Sequence, residues 1–131
     1  MIINNEELIS NSHNLNLKTD LRTRSYKFSL SVIALIDKLP NKRVYWIISD
    51  QLLRSATSIG ANIVEAKASS SKKDFIRFYQ IALKSANETD YWLSLLGDIS
   101  RVEINKLVSE VREICKMLAS SLLTMKGKRK F

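Results

Sequence analysis

Residues 51–66 read QLLRSATSIGANIVEA and decide which fold the sequence predicts. Their apolar side chains recur at steps of three and four, which is the spacing of one face of an α-helix. The stretch nevertheless carries serines, a threonine, an asparagine and Gly60, all weak helix formers; glycine costs roughly 1 kcal/mol against alanine. A helix of this composition needs a structural reason for its small polar residues.

The polar residues of this stretch form a ridge beside its apolar stripe. A face exposed to water would normally carry Lys, Glu and Gln, whereas the middle of this ridge is small. We therefore predict that the ridge packs against a neighbouring helix and that Ser58 and Asn62 can hydrogen-bond across the contact. A weakly helical, solvated face is the alternative. The ridge comprises Gln51, Arg54, Ser55, Ser58, Asn62 and Glu65.

Arg54 would need an ionic partner if the ridge is packed, because an unpaired buried charge is costly. With a hairpin turn near residue 70, position 54 faces positions 86 to 88 of the next helix. Glu88 is therefore the predicted partner, and Asp90 is the alternative. A bidentate pair of this kind would fix the register of the two helices.

The same helical spacing recurs through most of the chain. We predict helices over residues 21–39, 42–68, 72–96 and 100–125, with Pro40, Gly97 and Gly127 ending the first, third and fourth. The third and fourth helices are predicted to begin with capping pairs, Ser71 with Asp74 and Ser100 with Glu103.

No alternating strand pattern competes with these helices, so the predicted fold class is all-α. Short connections make consecutive helices antiparallel neighbours, which predicts an up-down-up-down antiparallel four-helix bundle over residues 19–126. We predict that residues 1–18 form a flexible N-terminal tail and that residues 127–131 form a basic C-terminal tail. Because a long, thin bundle exposes much side surface, oligomerisation is expected.

The composition limits what kind of protein this is. The chain has 131 residues, enough for one domain with a core, and Cys115 is its only cysteine. A lone cysteine and no signal peptide predict a cytoplasmic protein, and no apolar run is long enough to span a membrane. Cys115 lies on the inner stripe of the fourth helix, so we expect it to be buried.

The net charge of +8 is predicted to gather at one end of the bundle. The start of helix one, the connection between helices two and three, and the C-terminus meet there, and these spans carry twelve basic and three acidic residues. Repeated cations suit a nucleic-acid phosphate backbone; solvated charge, or a protein or membrane partner, are the alternatives. Tyr79 and Phe131 are near enough to stack on bases. The predicted contacts are Arg22, Arg24, Lys67, Lys72, Lys73, Arg77, Lys126, Lys128, Arg129 and Lys130.

Tyr91 and Trp92 are predicted to contact a second subunit. Neighbouring residues of a helix project about 100° apart, so that one ring can face the core while the other faces outward. The outward ring is the candidate contact. Core packing of both rings is the alternative.

Enzymatic chemistry has little support in the sequence. The only histidine is His13, in the N-terminal tail, and Gly60 has no flanking strand that would make it part of a phosphate loop. Carboxylates for Mg²⁺ are available, but their spacing matches no paired-carboxylate motif. We expect no catalytic residue, no metal site and no cofactor. The carboxylates considered are Glu65, Glu88, Asp90 and Asp98.

Two segments resemble a known family. QLLRSATSIGANIVEA and the following SKKDFIRFYQIALKSANETDYWLSLL (71–96) closely resemble the four-helix bundle family of 23S rRNA intervening-sequence proteins. RSYKFSLSVIALI (24–36) is similar to the first helix of that family. The resemblance covers about residues 20–125.

This resemblance implies a bacterial protein whose biochemical role is largely undefined and which assembles as a homopentamer. A related bundle, the accessory protein of diversity-generating retroelements, is a pentamer that binds nucleic acid and reverse transcriptase. The expected function is therefore a non-enzymatic oligomer that binds RNA or DNA non-specifically through its basic end. A protein-interaction or scaffold module is the alternative.

Overall fold

The computed structural model describes residues 20–127, which form four α-helices and contain no β-strand. The all-α prediction is confirmed for this part of the chain. The flexible tail predicted at residues 1–18 lies outside the described residues, as does most of the predicted C-terminal tail. Helix α1 spans Leu21–Ile36, α2 spans Arg43–Ala68, α3 spans Lys72–Ile99 and α4 spans Asn105–Met125.

Helix α1 begins with a side-chain cap and ends in a tightened turn. The Asp20 carboxylate accepts a hydrogen bond from the Thr23 backbone N–H at 2.8 Å, and this bond lowers the pKa of Asp20. The helix ends at Ile36, three residues before the predicted end. The Leu39 N–H bonds to the Ile36 carbonyl, three residues back, because Pro40 disfavours helical geometry in the residue before it.

Helix α3 starts as predicted but ends later. The Ser71 hydroxyl accepts a hydrogen bond from the Asp74 N–H at 3.1 Å, as expected of an N-cap. The predicted stop at Gly97 is wrong, since the helix continues to Ile99. Gly97 instead allows a close approach: a Cβ at this position would lie 2.7 Å from Ile104 Cγ1.

The capping box predicted at the start of α4 is wrong, because the helix begins five residues later, at Asn105. The Ser100 hydroxyl serves α3 instead, donating to the Leu96 carbonyl at 2.6 Å. The Glu103 carboxylate accepts a hydrogen bond from the Asn105 N–H at 2.7 Å. Ser100 and Glu103 therefore both bond to backbone groups near helix ends, but neither bonds to the group that a capping box would use.

The end of α4 agrees with the prediction. The Lys126 N–H donates to the Leu122 carbonyl at 3.0 Å and the Gly127 N–H donates to the Thr124 carbonyl at 3.1 Å. Gly127 has a φ of 71°, in the left-handed region that glycine occupies without strain.

The core lies between all four helices. Helix α2 contacts α3 most extensively, α4 packs on α3, and α1 contacts both α2 and α4. Each large apolar side chain that is fully buried contributes about 1.5–3 kcal/mol. The largest of these are Phe28 and Val32 of α1, Leu52, Ile59 and Ile63 of α2, Leu93 and Leu96 of α3, and Val111, Ile114 and Leu118 of α4.

The two helical glycines are expected to respond oppositely to alanine. Gly97→Ala should lower the free energy of unfolding by about 1–2 kcal/mol, because overpacking against Ile104 outweighs the gain in helix propensity. Gly60→Ala should raise it by up to about 1 kcal/mol, because its Cβ would make an ordinary 3.4 Å contact with Ser25 Cβ. Urea unfolding followed by circular dichroism measures both. Shifts of the same sign would contradict the role given to Ile104.

Candidate nucleic-acid interface

The start of α1 lies beside the end of α2 and the start of α3. A Cβ at Gly60 of α2 would lie 3.4 Å from Ser25 Cβ of α1. Besides the hydrogen bond from Thr23, the positive charge of Lys67 contributes to lowering the pKa of Asp20; burial, and to a smaller extent the Asp20 charge, raises the pKa of Tyr79. Asp20 is therefore close to residues of both neighbouring helices. Further along α1, Arg24 contacts Met117 in the second half of α4.

Six of the ten predicted cations are exposed around these helix ends. Three of them also line a shallow, open groove of about 520 Å³ on the first turns of α3, together with Asp74, Ile76 and Gln80. Lys128, Arg129 and Lys130 lie outside the described residues, and so does Phe131. The exposed cations are Arg22, Lys67, Lys72, Lys73, Arg77 and Lys126, and Lys72, Lys73 and Arg77 line the groove.

Arg24 does not belong to this exposed set, because it is half-buried, and its contact with nucleic acid stays a prediction that the proposed surface leaves out. Its guanidinium donates to both carboxylate oxygens of Glu110, at 3.1 Å and 2.5 Å, and contacts Met117 Sδ at 3.1 Å. Hydrogen bonding to Glu110 raises the pKa of Arg24 above its ordinary value. The two planar groups form a bidentate, half-buried pair that joins α1 to α4.

Tyr79 is not available to stack on a base, so the prediction that its ring stacks on bases is wrong. The side chain is only 6% exposed, and its ring lies 4.6 Å from the ring of Phe75. Burial raises the pKa of its hydroxyl. Its place on the inner face of α3 follows from the helical spacing, since Tyr79 lies one turn after Phe75 and three residues before the buried Ala82.

Arg77 is exposed but has local partners. Its guanidinium lies 3.8 Å from an Asp74 carboxylate oxygen and 4.8 Å from the centre of the Phe78 ring. An exposed ion pair between residues three apart on one helix is weak, so Arg77 keeps most of its capacity to contact a phosphate. Lys72 and Lys73 precede it on the first turn.

The small polar ridge of α2 packs against α3, as predicted. The Thr89 hydroxyl bonds to the buried Ser55 hydroxyl at 2.8 Å, and the Ser58 and Ser85 hydroxyls lie 2.8 Å apart. Asn62 donates to the Ser58 carbonyl at 2.8 Å and to its hydroxyl at 3.0 Å. Of the two residues predicted to bond across the contact, Ser58 makes an interhelical bond, while Asn62 bonds to Ser58 within α2.

The predicted Arg54–Glu88 pair is absent from the described residues, and so is its alternative with Asp90. Arg54 is exposed, Glu88 accepts a hydrogen bond from Trp92 Nε1 at 2.8 Å, and Asp90 pairs with Arg112 at 2.9 Å. The observed ridge contacts are centred near residue 72 rather than 70. Arg54 lies on the exposed side of α2, and the positions packed against α3 are occupied by the small residues Ser55 and Ser58.

Tyr91 and Trp92 differ in exposure. Tyr91 is 60% exposed, whereas Trp92 is half-buried against the core; their rings meet edge to face with centres 4.9 Å apart. Their role as subunit contacts stays a prediction. Ile47 at the start of α2 and Ile99 at the end of α3 are also exposed.

Cys115 is half-buried rather than fully buried. Its thiol contacts the Asn87 side-chain oxygen at 3.5 Å, and burial raises its pKa. Within residues 20–127, no three His, Cys, Asp or Glu side chains lie close enough together to hold a metal ion. None of the four helices described is both long and apolar enough to cross a membrane.

Tyr26, near the start of α1, is not among the residues predicted to contact nucleic acid. Its side chain is 64% exposed, one helical turn after Arg22 on α1. Helical spacing could have identified Tyr26 as an outward-facing residue, because it lies off the apolar stripe formed by Phe28, Val32 and Leu35.

Comparisons with known proteins agree with the resemblance seen in the sequence. Residues 18–120 match the family model described as 23S rRNA-intervening sequence protein. The fold is similar to the crystal structure of a protein of unknown function from the S23 ribosomal protein family of Bacteroides thetaiotaomicron, with 39% identity and a TM-score of 0.73. That match covers 79% of this chain and 98% of the other. No curated protein matches the chain.

Proposed function

Because the chain belongs to the 23S rRNA-intervening sequence protein family, we propose that it is a non-enzymatic protein that binds RNA or DNA without sequence specificity. The observation that carries this proposal is the set of six exposed cations around the adjoining helix ends. Lysine and arginine side chains replace counterions along a phosphate backbone, and such contacts do not depend on base identity. The proposal assigns no catalytic residue and no cofactor.

Opposing acids are few in this region, which supports its use as an anion-binding surface. Asp74 lies 3.8 Å from Arg77, and the Asp20 carboxylate is engaged by the Thr23 N–H. Lys72 and Lys73 form no ion pair within residues 20–127 and lie on the first turn of α3, where the helix dipole also favours anions. These two lysines are the centre of the proposed surface.

The proposed architecture is an up-down-up-down bundle. It is supported by contacts in which an early residue of one helix meets a late residue of the next. The Tyr45 hydroxyl donates to the Ile99 carbonyl at 2.8 Å, and Ser58 meets Ser85 nearer the connection between α2 and α3. In this topology the ends of α2 and α4 and the starts of α1 and α3 share one pole, which gathers the exposed cations.

We also propose that the protein is a homo-oligomer, with the pentamer taken from the family resemblance. Three exposed apolar side chains, Ile47, Tyr91 and Ile99, support self-association, because exposed apolar side chains are candidates for a subunit contact. A ring would repeat the basic surface around its axis and strengthen binding through multivalency. The cytoplasmic location stays a prediction.

A protein-interaction or scaffold role is the second candidate, and the same three exposed apolar side chains favour it. Light scattering before and after nuclease treatment separates the two roles. A pentamer of 15.0 kDa chains has a mass of about 75 kDa, and loss of excess mass on nuclease treatment would reveal co-purified nucleic acid. A defined protein partner that stays bound after nuclease treatment would favour the scaffold role.

Binding to nucleic acid is expected to weaken steeply with salt. If all six exposed cations contact phosphates, the logarithm of affinity for a single strand should fall with the logarithm of salt concentration with a slope of about −4. Fluorescence anisotropy with labelled RNA oligonucleotides of two unrelated sequences, from 50 to 300 mM KCl, measures this slope. Equal affinities for both sequences are expected. Absence of binding at 50 mM KCl would refute the proposal.

A further inference from the structure

At the basic end of the described chain, Tyr26 is an exposed aromatic side chain with no core role. Its side chain is 64% exposed, whereas Phe75 and Tyr79 pack on each other and the Phe78 ring is half-buried beneath Arg77. An exposed tyrosine ring contributes little of the folding free energy that it would contribute if it were buried in a core. Tyr26 therefore has a ring face available for a ligand.

Two cations lie near Tyr26, in the direction of the start of α1. Arg22 precedes it by one turn on α1, so the two side chains share a face of the helix. On the neighbouring helix, a Cβ at Gly60 would lie 4.0 Å from the Tyr26 backbone nitrogen. Val64 and Lys67 follow Gly60 at steps of four and three, so they continue along the same side of α2.

Lys67, near the end of α2, places a second positive charge near the start of α1. Lys67 is exposed, and after the hydrogen bond from Thr23 its positive charge contributes to lowering the pKa of Asp20, the N-cap residue of α1. Asp20 offsets part of this charge, but its carboxylate is directed to the Thr23 N–H at 2.8 Å. Tyr26 is thus an exposed ring one turn from Arg22, with Lys67 across the seam of α1 and α2 toward Asp20.

We propose that Tyr26 stacks on an unpaired base while Arg22 and Lys67 contact the flanking phosphates, so that the ligand class is single-stranded nucleic acid. Stacking needs a base whose face is open, which a duplex does not offer, and it tolerates any base because every base has a π-face. The inference rests on the proposed function and adds to it the form of nucleic acid bound.

Variants of Tyr26 test this inference. Tyr26→Ala is expected to weaken binding of a 12-nucleotide poly(U) RNA about tenfold, without changing the salt slope, because no phosphate contact is lost. Tyr26→Phe keeps the ring and should stay within about twofold of the wild type. Binding of a 12-base-pair duplex should change by less than about twofold in either variant. Ile33→Ala, an exposed apolar position two turns later on α1, is the matched control and should bind as the wild type does.

The outcomes separate the inference from the function on which it rests. Wild-type protein that binds neither RNA nor duplex refutes the proposed function. Wild-type binding that Tyr26→Ala leaves unchanged, or weakens equally for single strand and duplex, overturns base stacking alone. A change in oligomeric mass of the Tyr26→Ala variant, measured by light scattering, would assign Tyr26 to a subunit contact and also overturn it.

Discussion

Ser55→Leu is expected to lower the free energy of unfolding by about 2–4 kcal/mol. Ser55 is 3% exposed, and its hydroxyl lies 2.8 Å from the Thr89 hydroxyl where α2 meets α3. A leucine side chain there overpacks the contact, which typically costs about 1–3 kcal/mol, and the loss of the hydrogen bond adds about 1 kcal/mol. Urea unfolding at a fixed protein concentration measures the difference.

Two further variants isolate the cause of this loss. Ser55→Ala removes the hydroxyl without adding volume and should cost only about 1 kcal/mol, since the Thr89 hydroxyl keeps its bond to the Ser85 carbonyl at 2.7 Å. Thr57→Leu places the same new side chain at an exposed position of α2 and should stay within about 0.5 kcal/mol of the wild type. If leucine at positions 55 and 57 had equal effects, the ridge would not be tightly packed.

The packing of this ridge could be predicted from the sequence because a small polar face in a long helix is costly unless another helix lies against it. The partner of Arg54 could not be predicted in the same way. The centre of the α2–α3 contact differs by about two residues from the predicted one, which changes the α3 residue level with each α2 residue, and Arg54 lies on the exposed side of α2; helical spacing alone does not set this packing. Contacts between helices, such as Ser58 with Ser85, determine it.

The ends of the helices show a second limit. Glycine can mark a left-handed helix cap or a close approach between two segments of the chain. Gly127 is the first case and Gly97 is the second. Both uses look alike in a single sequence. Ile104, which explains Gly97, lies seven residues further on, beyond the end of the helix.

The gathering of cations at one pole is proposed from the topology, whereas the exposure of each cation could not be predicted from the sequence. Arg24 and Arg22 are near neighbours on α1, yet Arg24 pairs with Glu110, which is 86 residues away in sequence, and Arg22 is exposed. Tyr79 and Tyr26 differ in the same way, since one ring is buried against Phe75 and the other is open. Only the packing of the helices separates these cases.

Reversing the charge of Lys72 and Lys73 together is expected to weaken nucleic-acid binding about 100-fold at 0.1 M salt. Loss of two phosphate contacts accounts for about 30-fold through counterion release, and repulsion by the new carboxylates adds to it. The magnitude of the salt slope should also fall by about 1.5–2. Because Lys72 and Lys73 are the first two residues of α3, Lys72→Glu and Lys73→Glu place acids at a helix N-terminus, where they are favourable for the fold.

The matched control is the double variant Lys38→Glu with Lys42→Glu. These lysines are exposed in the connection between α1 and α2, about 24 Å along α1 from its first turn, and the substitutions change the net charge by the same amount. If binding depends on a local surface, this control should lose less than about fivefold in affinity, since only long-range attraction, screened beyond about 10 Å at this salt concentration, is reduced. Equal losses in the two double variants, measured by anisotropy at 0.1 M KCl, would mean that net charge attracts nucleic acid and that the start of α3 is not its binding surface.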